Sequence, residues 1–373
     1  GRACSFCGAL GLAASGLYSR RWIVISEHHG PNSGDDGLFL CPQCRHSVSK
    51  QPDSYTCAGC AKEYPIIFGI ADFRLRSDRY LSLEEERAKA IRLATETEQN
   101  FSTMLDYYYE ITDDVPPVLA ARYKAYHYNG PGQARRSLER LGIAADDVIL
   151  DVGCGTGGAL IAAAEKCSHI YGMDIALRWL IICQQRLREQ GVTATLVCAD
   201  VEASPFPDRY FSKIVATDLL ENVYSVDRTL IVLGRLLKTE GKLWLAGSNK
   251  FCLGPHPSTR LWAIGYFPES LRRRLVTYLR GVDSLRFINL ISPGRIIRYA
   301  KKIGLNAHML SPRMIVMDDE ESYPASDRLL IRTYILLARL PLIRQILIWV
   351  GPAFEMILWK SPYSMESKGV DQT

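Results

Sequence analysis

An α/β chain is predicted, with a parallel sheet wound by helices and a small cysteine-rich unit ahead of it. Three observations carry this reading. The stretch Val148-Ile149-Leu150-Asp151-Val152-Gly153-Cys154-Gly155-Thr156-Gly157-Gly158 places a buried strand before a glycine turn that opens a helix over Ala159 to Glu165. Glycines suit that turn because a side chain would keep the backbone from approaching a bound cofactor. Strand-like and helix-like runs then alternate through residue 250, with Asp174, Asp200 and Asp218 ending the second, third and fourth strands. Finally, the paired motifs Cys41-x-x-Cys44 and Cys57-x-x-Cys60 stand twelve residues apart, a spacing that suits the two knuckles of a zinc ribbon.

Taken alone, Gly153, Gly155 and Gly158 also satisfy the dinucleotide pattern G-x-G-x-x-G, so the turn leaves two cofactor classes open. The following elements separate them. A second strand, His169 to Met173, ends in Asp174. A helix over Ala176 to Gln190 lines up Leu177, Leu180, Ile181, Gln184 and Leu187 on one face and stops at Gly191. A third strand, Ala194 to Ala199, ends in Asp200-Val201, and a fourth, Phe211 to Thr217, ends in Asp218-Leu219-Leu220-Glu221-Asn222. With Asp151 ahead of the glycines and Asp174, Asp200 and Asp218 in order, residues 130 to 250 resemble the class I S-adenosylmethionine-dependent methyltransferases. The resemblance implies a Rossmann-like, seven-stranded methyltransferase sheet with helical insertions behind the N-terminal zinc ribbon. It implies that Gly153, Cys154, Gly155 and Gly157 pass beneath the methionine part of the cofactor, with Asp151 near its ammonium. Asp174 and Ile175 would take the ribose, Asp200 and Val201 the adenine, and Asp218 and Leu219 would border the transfer site. Many relatives carry Glu-His where this chain has Glu221-Asn222, so any base has moved or is missing.

The ribbon segment, Leu40 to Phe73, resembles small zinc-ribbon proteins that partner some methyltransferases. Four thiolates would make a closed structural Zn2+ site whose binding energy folds a segment too small to fold alone; a redox pair is the competing reading. Cys4-x-x-Cys7 could build a second site with His28, His29 or His46, displace one pair of the first, or be free thiols.

The domain expectation is a zinc ribbon over 1–75, a helical linker or lid over 76–128, the cofactor-binding core over 129–250, an acceptor-region insertion over 251–284, and the end of the core over 285–373. Within the second of these, Ser82 and Glu85 form a capping box, and Pro116-Pro117 separates two helical stretches. Tyr107 to Tyr109 and Tyr123, Tyr126 and Tyr128 either cover the cofactor or pack between ribbon and core. A helix over Val226 to Lys238 and a fifth strand over Leu243 to Gly247 follow. In the insertion, His256 between Pro255 and Pro257 is the candidate base, against the reading of a surface-loop histidine. A helix over Pro293 to Ile303 and a strand around Ala307 to Val316 lead to a last strand in Pro352 to Lys360. Ser326 to Val350 alternates apolar clusters with Arg328, Arg332, Arg339 and Arg344. Pro341 and these arginines argue against a transmembrane span. The segment either lies in a membrane interface, covers a hydrophobic acceptor, or packs on the sheet or in a dimer.

At 373 residues the chain holds one large core and one or two smaller units, and its formal charge of +5 is too mild to imply nucleic acid by itself. Six of the eleven cysteines sit in the three pairs; Cys154, Cys167, Cys183, Cys198 and Cys252 lie in apolar or motif contexts. That usage suits a reducing compartment. No signal peptide is visible in a chain that begins at Gly1. The expectation is therefore a cytoplasmic enzyme that uses S-adenosyl-L-methionine and Zn2+, with peripheral contact at the inner membrane face as one of the open readings of Ser326 to Val350. O-methylation of a small molecule, sugar or lipid-linked glycan is the favoured activity. An RNA methyltransferase with a ribbon for recognition and a non-catalytic scaffold are the rivals.

Overall fold

The structure, a computed structural model, describes residues 37–96, 100–112, 117–281, 285–310 and 325–360. Four short strands come first: β1 (Val48–Lys50), β2 (Ser54–Cys57), β3 (Glu63–Ile67) and β4 (Ile70–Asp72). Helices α1 (Leu83–Thr95), α2 (Phe101–Glu110), α3 (Pro117–Tyr128) and α4 (Gly130–Leu141) lead into the alternating core. The core runs β5 (Val148–Val152), α5 (Gly158–Ala164), β6 (His169–Asp174), α6 (Leu177–Glu189), β7 (Thr195–Cys198), β8 (Phe211–Thr217), α7 (Val226–Leu236) and β9 (Leu237–Ser248). After it come α8 (Glu269–Arg280), α9 (Pro293–Lys302), β10 (Leu305–Met309), α10 (Ala325–Leu337), α11 (Pro341–Val350) and β11 (Ala353–Lys360). Each expected core element is present within a few residues of its sequence bounds. The part of the β10 strand expected beyond residue 310 lies outside the described residues.

The strands form a single sheet in the order β1-β2-β3-β4-β7-β6-β5-β8-β9-β11-β10. Its last seven members are the expected seven-stranded α/β sheet. Six of them run in one direction, and β11 alone runs against them, inserted between β9 and β10. The two-residue period of the strands decides which face each residue serves. Leu150 and Val152 pack on one face with Leu230 and Leu233 of α7, while Ile149 packs on the other with Leu160 of α5 and Leu180 of α6. Asp151 therefore points to the second face.

The cysteine-rich unit does not stand apart. Strand β4 pairs in parallel with β7, Ala71 opposite Val197 and Asp72 opposite Cys198, so the ribbon continues the core sheet. Its aromatic centre continues as well: Phe39 lies 5.2 Å from Phe73 and 5.6 Å from Phe206, ring centre to ring centre. Arg45 donates to the carbonyls of Ser204 and Phe206 at 2.8 and 2.9 Å. The described part of the ribbon, residues 37–75, is thus continuous with the core.

Helix α1 opens with the expected capping box: Ser82 Oγ accepts from Glu85 N and Glu85 Oε2 accepts from Ser82 N at 2.8 Å. It is fastened to α6 by a charge cluster absent from the sequence reading. Arg178, Asp78 and Glu86 are all nearly inaccessible, and the Arg178 guanidinium donates to Asp78 at 2.8 Å and to Glu86.

Candidate functional site

The glycine turn is built as its sequence requires. Gly153, Gly155 and Gly157 all have positive φ, which costs glycine nothing and other residues a great deal. Gly157 is doubly constrained, because a Cβ there would lie 2.6 Å from Cys183 Sγ. A Cβ on Gly158 would meet the backbone of Gly130 at 2.9 Å, so this glycine lets α5 and α4 cross closely. The turn is held from β6: the Met173 carbonyl accepts from Gly153 N at 2.7 Å, and Asp174 Oδ2 accepts from Gly155 N at 2.9 Å. Asp174 Oδ1 accepts from Ala176 N at 2.9 Å. Each carboxylate oxygen keeps acceptor capacity, because a backbone bond uses only one of its lone-pair positions.

A cleft opens beside the turn, under α3 and α4. Asp151, Gly153, Cys154, Gly155 and Thr156 form its floor; Tyr126, His127, Arg136 and Arg140 form its wall; Val215, Trp244 and Glu355 form its back. Burial, and secondarily the neighbouring Asp174 charge, pushes the Asp151 carboxyl up to about 7. His127 Nδ1 lies 3.2 Å from Thr156 Oγ1, and burial with the nearby Arg186 lowers its pKa to about 3, so it is neutral. Of the expected cofactor residues, Asp151, Gly153, Cys154 and Gly155 line this cleft, whereas Gly157, Asp174, Ile175, Asp200, Val201, Asp218 and Leu219 do not. The Ile175 carbonyl instead accepts from Arg74 Nη1 at 3.2 Å.

Following Thr217 of the cleft lining, Asp218 adopts φ 52°, an unusual conformation for a residue with a side chain. Its Oδ2 accepts from the Tyr126 hydroxyl at 2.7 Å, which bridges α3 to the end of β8. Its carbonyl accepts from Asn222 Nδ2 at 3.1 Å, and Asn222 Oδ1 accepts from the Tyr80 hydroxyl at 2.7 Å. Leu219 packs at Gly153, where a Cβ would meet it at 3.1 Å. Asp200 accepts from Glu202 N at 2.9 Å and from Arg76 Nε at 2.6 Å, and the Arg76 guanidinium rests 3.9 Å from the centre of the Tyr224 ring. Arg76 belongs to the segment that joins ribbon to α1. Its arrival at Asp200 had no local signal in the sequence.

His256 does not belong to this site. It is fully buried in the 251–280 region, away from the cleft lining. Burial and then Arg272 lower its pKa to about 4, which makes it a poor base. Flanking prolines marked a turn but said nothing of what would cover it. Glu221 is buried too and accepts from Ser248 N at 2.5 Å and Ser248 Oγ at 2.9 Å, so it braces β8 against β9. Of the tyrosines, Tyr126 lines the cleft, whereas Tyr108 packs 4.2 Å from Trp179.

Far ahead of the glycine turn in sequence, the sulfurs of Cys41, Cys44, Cys57 and Cys60 lie within 4.8 Å of one another. The contacts Cys41–Cys60 at 3.7 Å and Cys44–Cys57 at 3.4 Å approach the separation of about 3.8 Å expected around a tetrahedral ion with Zn–S bonds of ~2.3 Å. Backbone N–H groups of Gly59 and Cys60 point at Cys57 Sγ at 3.3 and 3.4 Å, which favours the thiolate form a metal needs. Cys4, Cys7, His28 and His29 lie outside the described residues; His46 packs its ring against Gly59.

Residues 150–245 match the family described as "Methyltransferase domain". The chain is 34% identical over 110 residues to a demethylmenaquinone methyltransferase of Tropheryma whipplei, covering 29% of this chain and 45% of that protein. It is 32% identical over 117 residues to a ubiquinone/menaquinone biosynthesis C-methyltransferase, UbiE, of Chromobacterium violaceum, covering 31% and 48%. Among solved structures, geranyl diphosphate C-methyltransferase from Streptomyces coelicolor superposes with a TM-score of 0.43 at 16% identity, covering 66% of this chain and 85% of that one. Residues 150–245 thus match a methyltransferase domain, and they lie in the parallel, helix-wound part of the sheet. The chain's match spans about half the length of these curated relatives.

Proposed function

We propose that the protein transfers the methyl group of S-adenosylmethionine to a hydroxyl-bearing acceptor. The observation that carries this is the glycine turn bonded to Asp174, with Asp151 in the adjoining cleft, inside the matched methyltransferase domain. When bound, the cofactor supplies a sulfonium methyl and a neutral thioether leaving group. The protein's part is largely alignment and exclusion of water. In this reading Asp151 receives the cofactor's ammonium, Asp174 the ribose and Val201 one side of the adenine. The Asp218 carboxylate, held by Tyr126 beside Leu219, is placed to accept the acceptor's hydroxyl proton. Transfer to oxygen of a small molecule, sugar or lipid-linked glycan is the first reading. Transfer to carbon is the second, supported by the quinone C-methyltransferase names of the relatives. The four clustered thiolates are assigned a structural zinc ion.

The test is incubation of extracts and hydroxylated aromatic or glycan acceptors with carbon-13-labelled cofactor. The shift of the transferred methyl separates oxygen from carbon products, and a cofactor that binds but never donates would leave the scaffold reading. Asp174→Ala is expected to weaken cofactor binding by at least about 1.5–3 kcal/mol, since it removes both a ligand bond and the anchor of Gly155. Unchanged calorimetric affinity in that variant would refute the ribose assignment.

Binding is also expected to be linked to protons. A carboxyl with pKa about 7 is largely protonated at pH 6.5, and an ammonium beside it favours the ionised form. Cofactor binding should then release roughly three-quarters of a proton at pH 6.5 and should tighten as pH rises toward 7. Calorimetry in two buffers of different ionisation enthalpy reads this directly. Asp151→Asn should abolish the difference between buffers, and a buffer-independent enthalpy in the unmodified protein at pH 6.5 would contradict the assignment.

A further inference from the structure

We propose that α8, α11, the outer side of α10 and the loop between residues 250 and 267 form one face that docks on an anionic lipid bilayer. The sequence pointed only to the segment after residue 325; the structure joins it to a second, distant one. Leu253 N donates to the Val350 carbonyl at 3.0 Å, and Asn249 Nδ2 donates to the Trp349 carbonyl at 2.7 Å. Tyr266 in turn lies against Phe251, with rings 5.3 Å apart and its hydroxyl donating to the Phe251 carbonyl at 2.9 Å. Along this face large apolar side chains stand in solvent: Leu342 is 83% exposed, Tyr278 85%, Trp262 65% and Trp349 50%. Such a concentration is unusual for a surface that meets only water.

Charge selects the occupant. Residues 250–281 and 325–350 together hold ten basic and two acidic residues, a net +8, against +5 for the whole chain. The remainder of the protein is therefore net negative, and the positive charge is concentrated where the exposed apolar groups are. A second copy of the chain would bring the same positive face against itself. An anionic bilayer offers headgroups to the arginines and an acyl boundary to Leu, Trp and Tyr. Among the described residues no helix is long and apolar enough to cross a membrane, so the contact is along the surface.

Both halves of the face rest on α3. Ile331 of α10 packs on Ala125, and Arg122 donates to the Pro257 carbonyl at 3.1 Å. The next residues of α3, Tyr126 and His127, line the cleft. An amphiphilic acceptor in the bilayer would thus reach the site past α3; this route rests on the methyl-transfer reading, whereas docking itself does not.

The test is flotation of the full chain with phosphatidylcholine vesicles, with and without the anionic lipid phosphatidylglycerol. The protein is expected to float with the anionic vesicles at low salt and to remain behind with neutral ones. Arg339→Glu combined with Arg344→Glu should weaken partition roughly tenfold or more. Leu342→Asp should weaken it while leaving cofactor binding unchanged, which shows that the fold is intact. Trp262 and Trp349 fluorescence should be quenched by brominated lipid. A protein that stays in the lower fraction with anionic vesicles, or that shields Trp349 only through a concentration-dependent dimer seen by ultracentrifugation, overturns the proposal. Docking with no methyl transfer would fault the acceptor route and the activity, and leave the surface standing.

Discussion

Replacing Cys57 with serine, or stripping metal with a chelator, is expected to destabilise the whole protein and to lower its affinity for the cofactor. A ribbon hung on a linker would lose its own structure alone, as the sequence boundary at residue 75 suggests. Here β4 pairs with β7 of the core sheet, Phe39 and Phe73 share an apolar cluster with Phe206, and Arg76 reaches Asp200 just past the end of β7. Structural zinc in isolated fingers contributes about 10–16 kcal/mol of apparent binding free energy, most of it spent on folding. Even a modest share of that is comparable with the ~5–15 kcal/mol stability of a typical protein. Scanning calorimetry should show one transition that moves to lower temperature when metal is removed, and titration should show weaker cofactor binding. Two separate transitions, the upper one unmoved, would mean that the ribbon and the core fold independently.

The second large effect is expected at Arg178. Its guanidinium lies in the interior between Asp78 and Glu86, joining α1 to the start of α6 next to Asp174. Arg178→Met removes the cation and strands two carboxylates, for which the usual cost is about 3–5 kcal/mol. The loss should depend on pH in a definite direction. Burial already raises the Glu86 pKa above the ordinary glutamate value, with Arg178 opposing the rise. A carboxyl raised in the folded state costs stability as pH climbs from its unfolded value through its folded one. Without Arg178 that cost grows, so the deficit of the variant should be largest at neutral pH and should shrink as pH falls below the folded pKa. Urea unfolding of both proteins across pH 4.5–8 tests this, and a deficit independent of pH would mean that lost packing, not stranded charge, is responsible.

Much of the architecture was legible because it is encoded locally. Strand, glycine turn and helix are neighbours in sequence, and the positive φ of Gly157 with its contact to Cys183 leaves room for no other residue. The same holds for the capping box at Ser82 and for the two cysteine knuckles, each of which is closed by backbone bonds within three residues. Hydrophobic period located the strands to within a few residues, since a two-residue alternation between two apolar clusters is a property of the chain itself.

By itself, then, the sequence determined a zinc-knuckle pattern, a class I α/β order of strands and the acids at their ends. Only the tertiary structure decided which of those groups meet. Arg76 pairs with Asp200 across 124 residues, Arg178 with Glu86 across 92 and Tyr126 with Asp218 across 92, and none of these partners has a local signature. The structure likewise buried His256, which prolines on either side had made look like an accessible loop residue. It also merged two remote basic and apolar segments into one face. The physical reason is common to all of them: local backbone preference is set by adjacent residues, whereas burial, charge pairing and surface continuity depend on what the closed sheet brings beside each side chain.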